Sequence, residues 1–329
     1  MQCEPVENTL FPPMVVVSVG NACNYACSHC FYPTYSLQPG YARHDMDFEV
    51  FRKIADEMGR HPESVLRLIA WGEPLLHPRL DEFVSYMRKA GPHNKVTLIT
   101  NGSLLTPARS LALMKAGLDL VEVSIDAAHE ATYRARRRTS LAEAFRTVVS
   151  NVQSMAALRR EHKIETRIVV SFIVAPNQDS EQEFVEFREV WSRTVDDVVK
   201  RPQHTFKGTL SQHRPLPARR TPCQGLWTRC DITPWGEVSV CYNDWERANI
   251  LGDLNDDDVS IESVWRGQVL RQMQVAQTEG RFCGICEHCK DYNPDADVAP
   301  YEMVIDRVFR TGANLQLGAD PQSPGGQHP

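Results

Sequence analysis

The chain has 329 residues, 42% of them hydrophobic and 24% charged, which is the composition of a soluble globular protein with one large domain and a smaller one. Its net charge of −6 gives no reason to expect a nucleic-acid partner. No apolar stretch approaches the ~20 residues of a membrane span. Residues 1–13, a polar N-terminal extension, lack the basic-then-apolar order of a signal peptide. We therefore predict a cytoplasmic protein with no membrane partner.

Strand-like and helix-like segments alternate over residues 14–201. Short runs rich in Val, Ile or Leu predict buried strands at 14–19, 65–70, 95–100, 120–125, 167–174 and 196–199. Helical spacing of apolar residues predicts intervening helices at 47–59, 78–90, 107–116, 140–160 and 180–193. Because six such units are too few for a closed eight-fold barrel, the predicted fold is α/β, a partial (β/α)6 TIM-like barrel. Its active site would lie at the C-terminal ends of the strands.

The remaining sequence predicts a linker, a small domain and a tail. Prolines interrupt the pattern at 202–220, which predicts a linker or a loop over the barrel mouth. A small α+β domain follows at 221–300, with strands at 227–232 and 238–241 around a hairpin turn and a helix at 261–277. Residues 301–329 predict a tail that is partly disordered. A basic run over 134–138 is typical of a solvated loop or helix face.

Ten cysteines in a reducing compartment are not expected to form structural disulfides. Nine of them fall into three short groups, at 23–30, 223–241 and 283–289, and only Cys3 stands alone. Clustering at short spacings indicates metal ligation.

The first group is a CxxxCxxC run formed by Cys23, Cys27 and Cys30, directly after the first predicted strand. Three thiolates on one loop can bind three irons of a [4Fe–4S] cube and leave the fourth iron open for chemistry. Structural zinc with a fourth ligand elsewhere is the alternative, although zinc favours paired C-x₂₋₄-C knuckles.

This run resembles the cluster loop of the radical S-adenosylmethionine (SAM) superfamily. The resemblance implies that the open iron chelates the amino and carboxylate groups of SAM. Reductive cleavage of SAM then gives a 5′-deoxyadenosyl radical, which removes hydrogen from the substrate. It also implies a flavodoxin or ferredoxin-type electron donor.

Further motifs occur in the order found in that superfamily. Trp71-Gly72-Glu73-Pro74 is similar to its Gly-Gly-Glu-Pro motif, in which a backbone carbonyl and the Glu receive the SAM ammonium. By the same resemblance, cofactor-binding roles are implied for residues at the ends of later strands and in the cysteine loop, namely Asn101, Ser124, Asn177 and His29. These residues also have ordinary structural interpretations: Glu73 as a carboxylate in a loop, Ser124 as the end of a strand, and Asn101 with Gly102 as a turn.

The later cysteines resemble the C-terminal SPASM or twitch extension, whose cysteines bind auxiliary [4Fe–4S] clusters. Six cysteines without the longer SPASM tail favour the one-cluster twitch form. The implied ligands are Cys223, Cys241, Cys286 and Cys289, with Cys283 able to replace one of the last two. A tetrahedral zinc site with four sulfur ligands is the alternative.

Five further residues are candidates for catalysis by location. Cys230, on a hairpin strand, is either a small buried hydrophobe or a hydrogen-atom donor of the kind some radical SAM epimerases use. A base or an orienting group for a substrate hydroxyl is sought among Asp231, Asp244, Glu237 and Arg137.

An auxiliary cluster can accept the second electron of a two-electron oxidation, which a redox-neutral reaction does not need. Short one-cluster relatives include enzymes that oxidise a secondary alcohol of an aminocyclitol or aminoglycoside in antibiotic biosynthesis. The resemblance therefore implies a dehydrogenase-type enzyme acting on a small carbohydrate-like molecule. Peptide modification and a redox-neutral epimerisation or dehydration are the alternatives, and a non-catalytic scaffold is a third.

Overall fold

A computed structural model describes residues 9–174, 178–203 and 220–289. The predicted linker lies mostly outside these ranges, and Asn177 and the tail lie wholly outside them. Within them, no helix is both long and apolar enough to cross a membrane.

Six parallel strands form the first part of the sheet, and their bounds agree with the prediction to within two or three residues. They are β1 (Met14–Ser18), β2 (Val65–Ile69), β3 (Lys95–Thr100), β4 (Leu120–Ser124), β5 (Arg167–Val174) and β6 (Asp197–Pro202). Each pairs in parallel with the next along the chain. The α/β fold and the partial barrel are therefore confirmed.

Helices cover these strands and supply most of the apolar core with them. Their bounds are α1 (Tyr32–Tyr35), α2 (Phe48–Met58), α3 (Leu80–Ala90), α4 (Pro107–Ala116), α5 (Glu130–Arg137), α6 (Ala144–Glu161) and α7 (Gln178–Trp191). Local sequence determines several ends. The Asp47 carboxylate accepts the Glu49 N–H at 2.7 Å at the start of α2. Helix α4 ends at Gly117, which has φ +104°.

The C-terminal region continues the same sheet. It contains α8 (Gly225–Thr228), β7 (Arg229–Ile232), β8 (Glu237–Ser239), β9 (Ile250–Asp253), α9 (Ile261–Trp265) and α10 (Gln268–Thr278). Strand β7 pairs in parallel with β1, with Val16 opposite Asp231. The predicted hairpin joins β7 to β8, with Ile232 opposite Val238. The described residues thus form a nine-stranded sheet in the order β6-β5-β4-β3-β2-β1-β7-β8-β9.

Two predicted elements differ from the structure. The strand predicted from residue 227 starts at Arg229, because residues 225–228 form a helical turn. The single helix predicted over 261–277 is two helices, since the chain becomes extended at Gly267 (φ −63°, ψ 153°) before α10 begins. The division into a barrel domain and a small domain stays a prediction, and sheet hydrogen bonds join the two parts.

Candidate active site at the ends of strands β1 to β5

The first cysteine loop lies against the segment that follows β2. The Trp71 N–H donates to the Gly20 carbonyl at 2.9 Å, and the Glu73 N–H donates to the Ala22 carbonyl at 2.8 Å. Between them, Gly72 packs so closely that a Cβ atom there would lie 2.0 Å from the Ala22 oxygen. Glycine is therefore required at this position for the two loops to meet.

Each thiol of this loop receives a hydrogen-bond donor. The N–H of Tyr25 donates to the Cys23 sulfur and that of Tyr32 to the Cys30 sulfur, both at 3.4 Å. The Cys27 sulfur accepts from Arg137 Nη1 at 3.6 Å. Donors aimed at sulfur stabilise thiolates, and such outer contacts tune the metal centres that thiolates bind.

The raised pKa values of these thiols mean that their thiolate forms are unfavourable in this buried loop without a positively charged partner. Burial raises the pKa of Cys23, and the negative charges of Glu73 and the neighbouring thiolates raise it further. Burial likewise raises the pKa of Cys30 to about 12. A bound metal centre removes the protons of coordinating thiols outright. The three thiols of this loop are the residues that could hold the three protein-bound irons of a [4Fe–4S] cube.

Glu73 is held rigidly at the end of β2. Its carboxylate accepts from the Leu75 N–H at 3.0 Å, the Thr100 hydroxyl at 2.6 Å and the Asn101 N–H at 2.7 Å. Burial raises its pKa in spite of these donors. Because a carboxylate offers about four acceptor sites, one further donor, such as an ammonium group, can still bind.

Asn101 connects this carboxylate to the cysteine loop. Its side-chain amide donates to the Asn24 side chain at 2.9 Å, and its oxygen accepts from the Ser103 hydroxyl at 2.7 Å. Asn24 in turn donates to the Ser103 hydroxyl at 2.9 Å. The three side chains form a closed polar network next to Cys23. Asn24 and Ser103 were missed by the sequence prediction, although Asn24 lies inside the CxxxCxxC run.

The end of β4 presents Ser124, and a buried ion pair follows it. The Ser124 hydroxyl lies 3.3 Å from the Ser171 hydroxyl of β5. Two residues on, Asp126 has φ +62° and a fully buried carboxylate, whose Oδ2 lies 2.5 Å from Arg137 Nη2 and 3.3 Å from His29 Nε2. Burial alone would raise the pKa of Asp126, but Arg137 and His29 lower it to about 2. His29 Nε2 thus contacts the Asp126 carboxylate here.

Arg137 lies under the cysteine loop with 5% of its side chain exposed. It forms an ion pair with Asp126, and it donates to the Cys27 sulfur and to the carbonyls of Ile125, at 3.3 Å, and Ser124. The prediction that the basic run is solvated is therefore wrong at Arg137. It is also wrong at Arg136, whose side chain is 18% exposed and donates to the Asp126 and Ile173 carbonyls. These carbonyls attract both guanidinium groups into the molecule.

Trp71, which stands where the superfamily motif has glycine, belongs to a buried aromatic cluster with Phe31, Tyr35 and Trp245. Phe31 follows Cys30 directly, and its ring stacks on Trp245 at a centroid distance of 5.7 Å. Trp245 comes four residues after Cys241. The aromatic cluster therefore packs the first cysteine loop against the loop that follows β8.

The C-terminal cysteines meet beside β7. Burial raises the pKa of Cys241, and the charges of Asp231 and the Cys223 thiolate raise it further, although Arg229 opposes them. Burial, together with the Cys223 and Cys289 thiolates, raises the pKa of Cys286 to about 12. Cys283 is exposed, and the negative charge of its thiolate also raises the pKa of Cys286. The thiols of both parts of this region are thus near enough for their charges to act on one another, and they are the residues that could hold a second cluster.

The two adjacent candidates on β7 point to opposite faces of the sheet. Cys230 packs in the main apolar core. Burial raises the pKa of its thiol, and the negative charges of Asp231 and of Glu57 on α2 raise it further. Side chains alternate along a strand, so Asp231 points away from the helices, into the barrel. Its carboxylate Oδ2 pairs with Arg229 Nε at 3.1 Å.

Asp244 and Glu237 are occupied by their own loops. The buried carboxylate of Asp244 accepts from the Asn249 N–H at 2.7 Å and the Ser239 hydroxyl at 3.2 Å. Glu237 forms an ion pair with Arg247. The structure therefore gives both carboxylates a role in shaping the hairpin, and Asp231 is the candidate base that faces the barrel interior.

A family comparison bears directly on this site. A model of the radical SAM superfamily matches residues 17–190, over half of the chain. The chain belongs to the radical SAM superfamily. A model of the SPASM iron–sulfur cluster-binding domain matches residues 223–290, so this radical SAM protein carries a SPASM region around its later cysteines. Its cofactors are SAM, a SAM-binding [4Fe–4S] cluster and an auxiliary cluster.

Relatives in sequence are similar to this radical SAM protein over part of their length. A tungsten-containing aldehyde ferredoxin oxidoreductase cofactor-modifying protein of Pyrococcus furiosus is 34% identical over 113 residues, 33% of this chain and 30% of its own. A GTP 3′,8-cyclase of Synechococcus sp. is 39% identical over 133 residues, 37% of this chain and 36% of its own. The matches thus span about a third of these curated relatives.

Solved structures share the fold over most of the chain. BtrN in complex with AdoMet and 2-DOIA has a TM-score of 0.55 at 19% identity, covering 83% of this chain and 89% of that one. The protein anSMEcpe with bound AdoMet and Cp18Cys peptide has a TM-score of 0.60 at 15% identity, covering 90% and 95%. SuiB of Streptococcus suis bound to precursor peptide SuiA has a TM-score of 0.60 at 12% identity, covering 80% and 67%. At these identities the likeness is one of fold.

Proposed function

We propose that this radical SAM enzyme is a dehydrogenase that oxidises a secondary alcohol of a small, carbohydrate-like molecule such as an aminocyclitol. The observation that carries the proposal is the pairing of β7 with β1. This pairing puts Asp231 on the strand next to the one that leads into the first cysteine loop, and Arg229 on the same strand reaches the Cys241 sulfur at 3.7 Å. A proton acceptor and an electron acceptor beside the radical site are what an alcohol oxidation requires.

The proposed reaction converts a carbinol to a ketone. When bound, SAM and its cluster would supply the radical that takes the hydrogen atom from the carbinol carbon, and the auxiliary cluster would supply the acceptor for the remaining electron. The hydroxyl proton passes to the Asp231 carboxylate, and the C=O bond is complete. Arg229, at 3.1 Å from Asp231, orients that carboxylate. Cys23, Cys27 and Cys30 would hold the first cluster, and Cys223, Cys241, Cys286 and Cys289 the second.

The similarity to BtrN, which was crystallised with AdoMet and 2-DOIA, supports a small-molecule substrate. A flavodoxin- or ferredoxin-type electron donor is part of the same proposal. Peptide modification is the second candidate, because anSMEcpe and SuiB, both with TM-scores of 0.60, were crystallised with peptides.

The test is an anaerobic assay of the reconstituted enzyme with SAM, a reductant and aminocyclitols deuterated at their carbinol carbons. We expect deuterium in 5′-deoxyadenosine and one ketone per SAM consumed. Asp231→Asn should still transfer deuterium but form ketone about 100-fold more slowly, the typical contribution of a general base. The matched control, Cys230→Ala, changes the neighbouring side chain on the opposite face of the sheet and should keep ketone formation.

Three results would contradict the proposal. Deuterium transfer without ketone in the natural chain would favour a redox-neutral reaction. Loss of turnover in Cys230→Ala with cluster content unchanged would give Cys230 the role of hydrogen-atom donor and indicate an epimerase. A chain that cleaves SAM productively only with peptides would support the peptide-modifying alternative.

A further inference from the structure

Arg229 connects the candidate base to the auxiliary cysteines. Its Nε lies 3.1 Å from Asp231 Oδ2, and its Nη2 lies 3.7 Å from the Cys241 sulfur. The guanidinium carbon stands 4.7 Å from the centroid of the Tyr242 ring. With 22% of its side chain exposed, the group is mostly withdrawn from water. A cation held on three sides in this way has one orientation, with an N–H directed at sulfur.

The first cysteine loop has the same arrangement. Arg137 pairs with Asp126 at 2.5 Å and donates to the Cys27 sulfur at 3.6 Å. In both places a buried aspartate fixes an arginine whose free donor reaches a cysteine thiol. Each guanidinium also lies over a tyrosine ring, Tyr133 at 6.0 Å for Arg137 and Tyr242 at 4.7 Å for Arg229. Arg137 differs in that it also donates to two main-chain carbonyls.

We propose that Arg229 is a positioning residue that raises the reduction potential of the auxiliary cluster, and so makes that cluster an electron acceptor. Reduction adds negative charge to a cluster and its thiolate ligands. A positive, hydrogen-bonding group at a ligand sulfur stabilises the reduced form more than the oxidised form, and hydrogen bonds to sulfur are among the determinants of cluster potentials. This inference rests on the proposed function in taking Cys241 as a ligand of an electron-accepting cluster.

The Asp231 carboxylate limits how far Arg229 raises the reduction potential of the cluster, and it determines the sign of the shift when Arg229 is replaced. This carboxylate offsets the arginine charge, so the N–H bond to sulfur supplies most of the stabilisation. Replacing Arg229 by Met removes that bond and leaves the Asp231 carboxylate facing the cluster ligands. Both changes disfavour the reduced form, so the potential should become more negative.

The experiment measures the midpoint potential of the auxiliary cluster by an EPR-monitored redox titration, without substrate or SAM. The Cys23→Ala/Cys27→Ala/Cys30→Ala chain is the parent, so that the auxiliary cluster alone contributes to the signal. We expect a more negative midpoint in Arg229→Met and an intermediate one in Arg229→Lys, which keeps the charge but loses the planar fork. The matched control is Arg247→Met, whose guanidinium pairs with Glu237, and its midpoint should equal that of the parent.

An unchanged midpoint in Arg229→Met at unchanged iron content would overturn the inference. If Arg229→Met does not retain its cluster, Arg229→Lys decides, and a midpoint equal to that of the parent would then overturn it. The outcome is separate from the proposed function. A shifted midpoint in a chain that oxidises no alcohol would uphold the inference and refute the dehydrogenase proposal.

Discussion

Arg137 and Asp126 stabilise the base of the first cysteine loop as a unit. Asp126 has no exposed side-chain surface, and Arg137 has 5%. Removing either partner leaves an uncompensated charge in the interior, which costs far more than the pair itself contributes. Asp126 can adopt its left-handed φ because Asp and Asn tolerate that region better than most residues.

We predict that Arg137→Met lowers the stability of the reconstituted enzyme by about 3–5 kcal/mol, the cost of breaking a buried pair. The Arg137→Met/Asp126→Asn double variant should recover part of this loss, because Asn accepts the backbone conformation and carries no charge. Anaerobic thermal melting measures both. Arg134→Met, at an exposed position of the same helix, is the control and should melt like the natural chain. A double variant no more stable than the single one would show that the charge pairing is not what matters.

The sequence predicted the residues of this site where a motif carried them, and failed where burial decided. Cys23, Glu73, Asn101 and Ser124 were predicted from their order along the chain, and the structure places them after neighbouring strands, while their cofactor-binding roles stay predictions. Arg137 was found only as a candidate orienter for the substrate. Its contact with Cys27 depends on how α5 packs beneath a loop 110 residues away, which local sequence does not encode.

At the scale of elements, the loop after β2 packs directly against the first cysteine loop. Two main-chain hydrogen bonds, from Trp71 and Glu73, hold the two segments together. Gly72 lies between them, and a Cβ atom there would also come within 2.8 Å of the Cys23 nitrogen. Any side chain at this position must therefore push the cysteine loop outward.

We predict that Gly72→Ala loses the first cluster and keeps the second. Iron content after reconstitution should fall from about eight to about four atoms per chain, since each cube holds four. The matched control is Gly40→Ala. Gly40 has φ +84° but no atom within 4 Å of its Cβ position, so substitution there brings only about 1–2 kcal/mol of backbone strain. A Gly72→Ala chain that keeps the full iron content would refute the close-packing argument.

The elements themselves were largely predictable, because buried parallel strands are continuous apolar runs. The sequence missed short elements and breaks. Helix α1 has four residues, too few for a periodic pattern, and α5 is so rich in arginine that it was taken for a solvated segment. The break before α10 falls at Gly267, where the chain is extended and a Cβ atom would lie 2.9 Å from the Val264 oxygen.

The whole molecule is organised by one pairing that sequence did not predict. Strand β7 lies beside β1 although more than 200 residues separate them. Strand β1 is apolar and β7 contains Arg229 and Asp231, and neither strand carries a local signal of this partnership. Contacts of such long range are determined by the fold as a whole. The pairing joins the radical SAM barrel to the SPASM region in one sheet, so that two cysteine sites can serve one reaction.

The central claim, that two iron–sulfur clusters serve one active site, is tested most directly by iron and labile sulfide content after anaerobic reconstitution. The natural chain and the Cys23→Ala/Cys27→Ala/Cys30→Ala variant are compared. We predict about eight irons in the natural chain and about four in the variant, at four per cube. About four irons in the natural chain and almost none in the variant would contradict the claim. The proposed oxidation would then lack its electron acceptor.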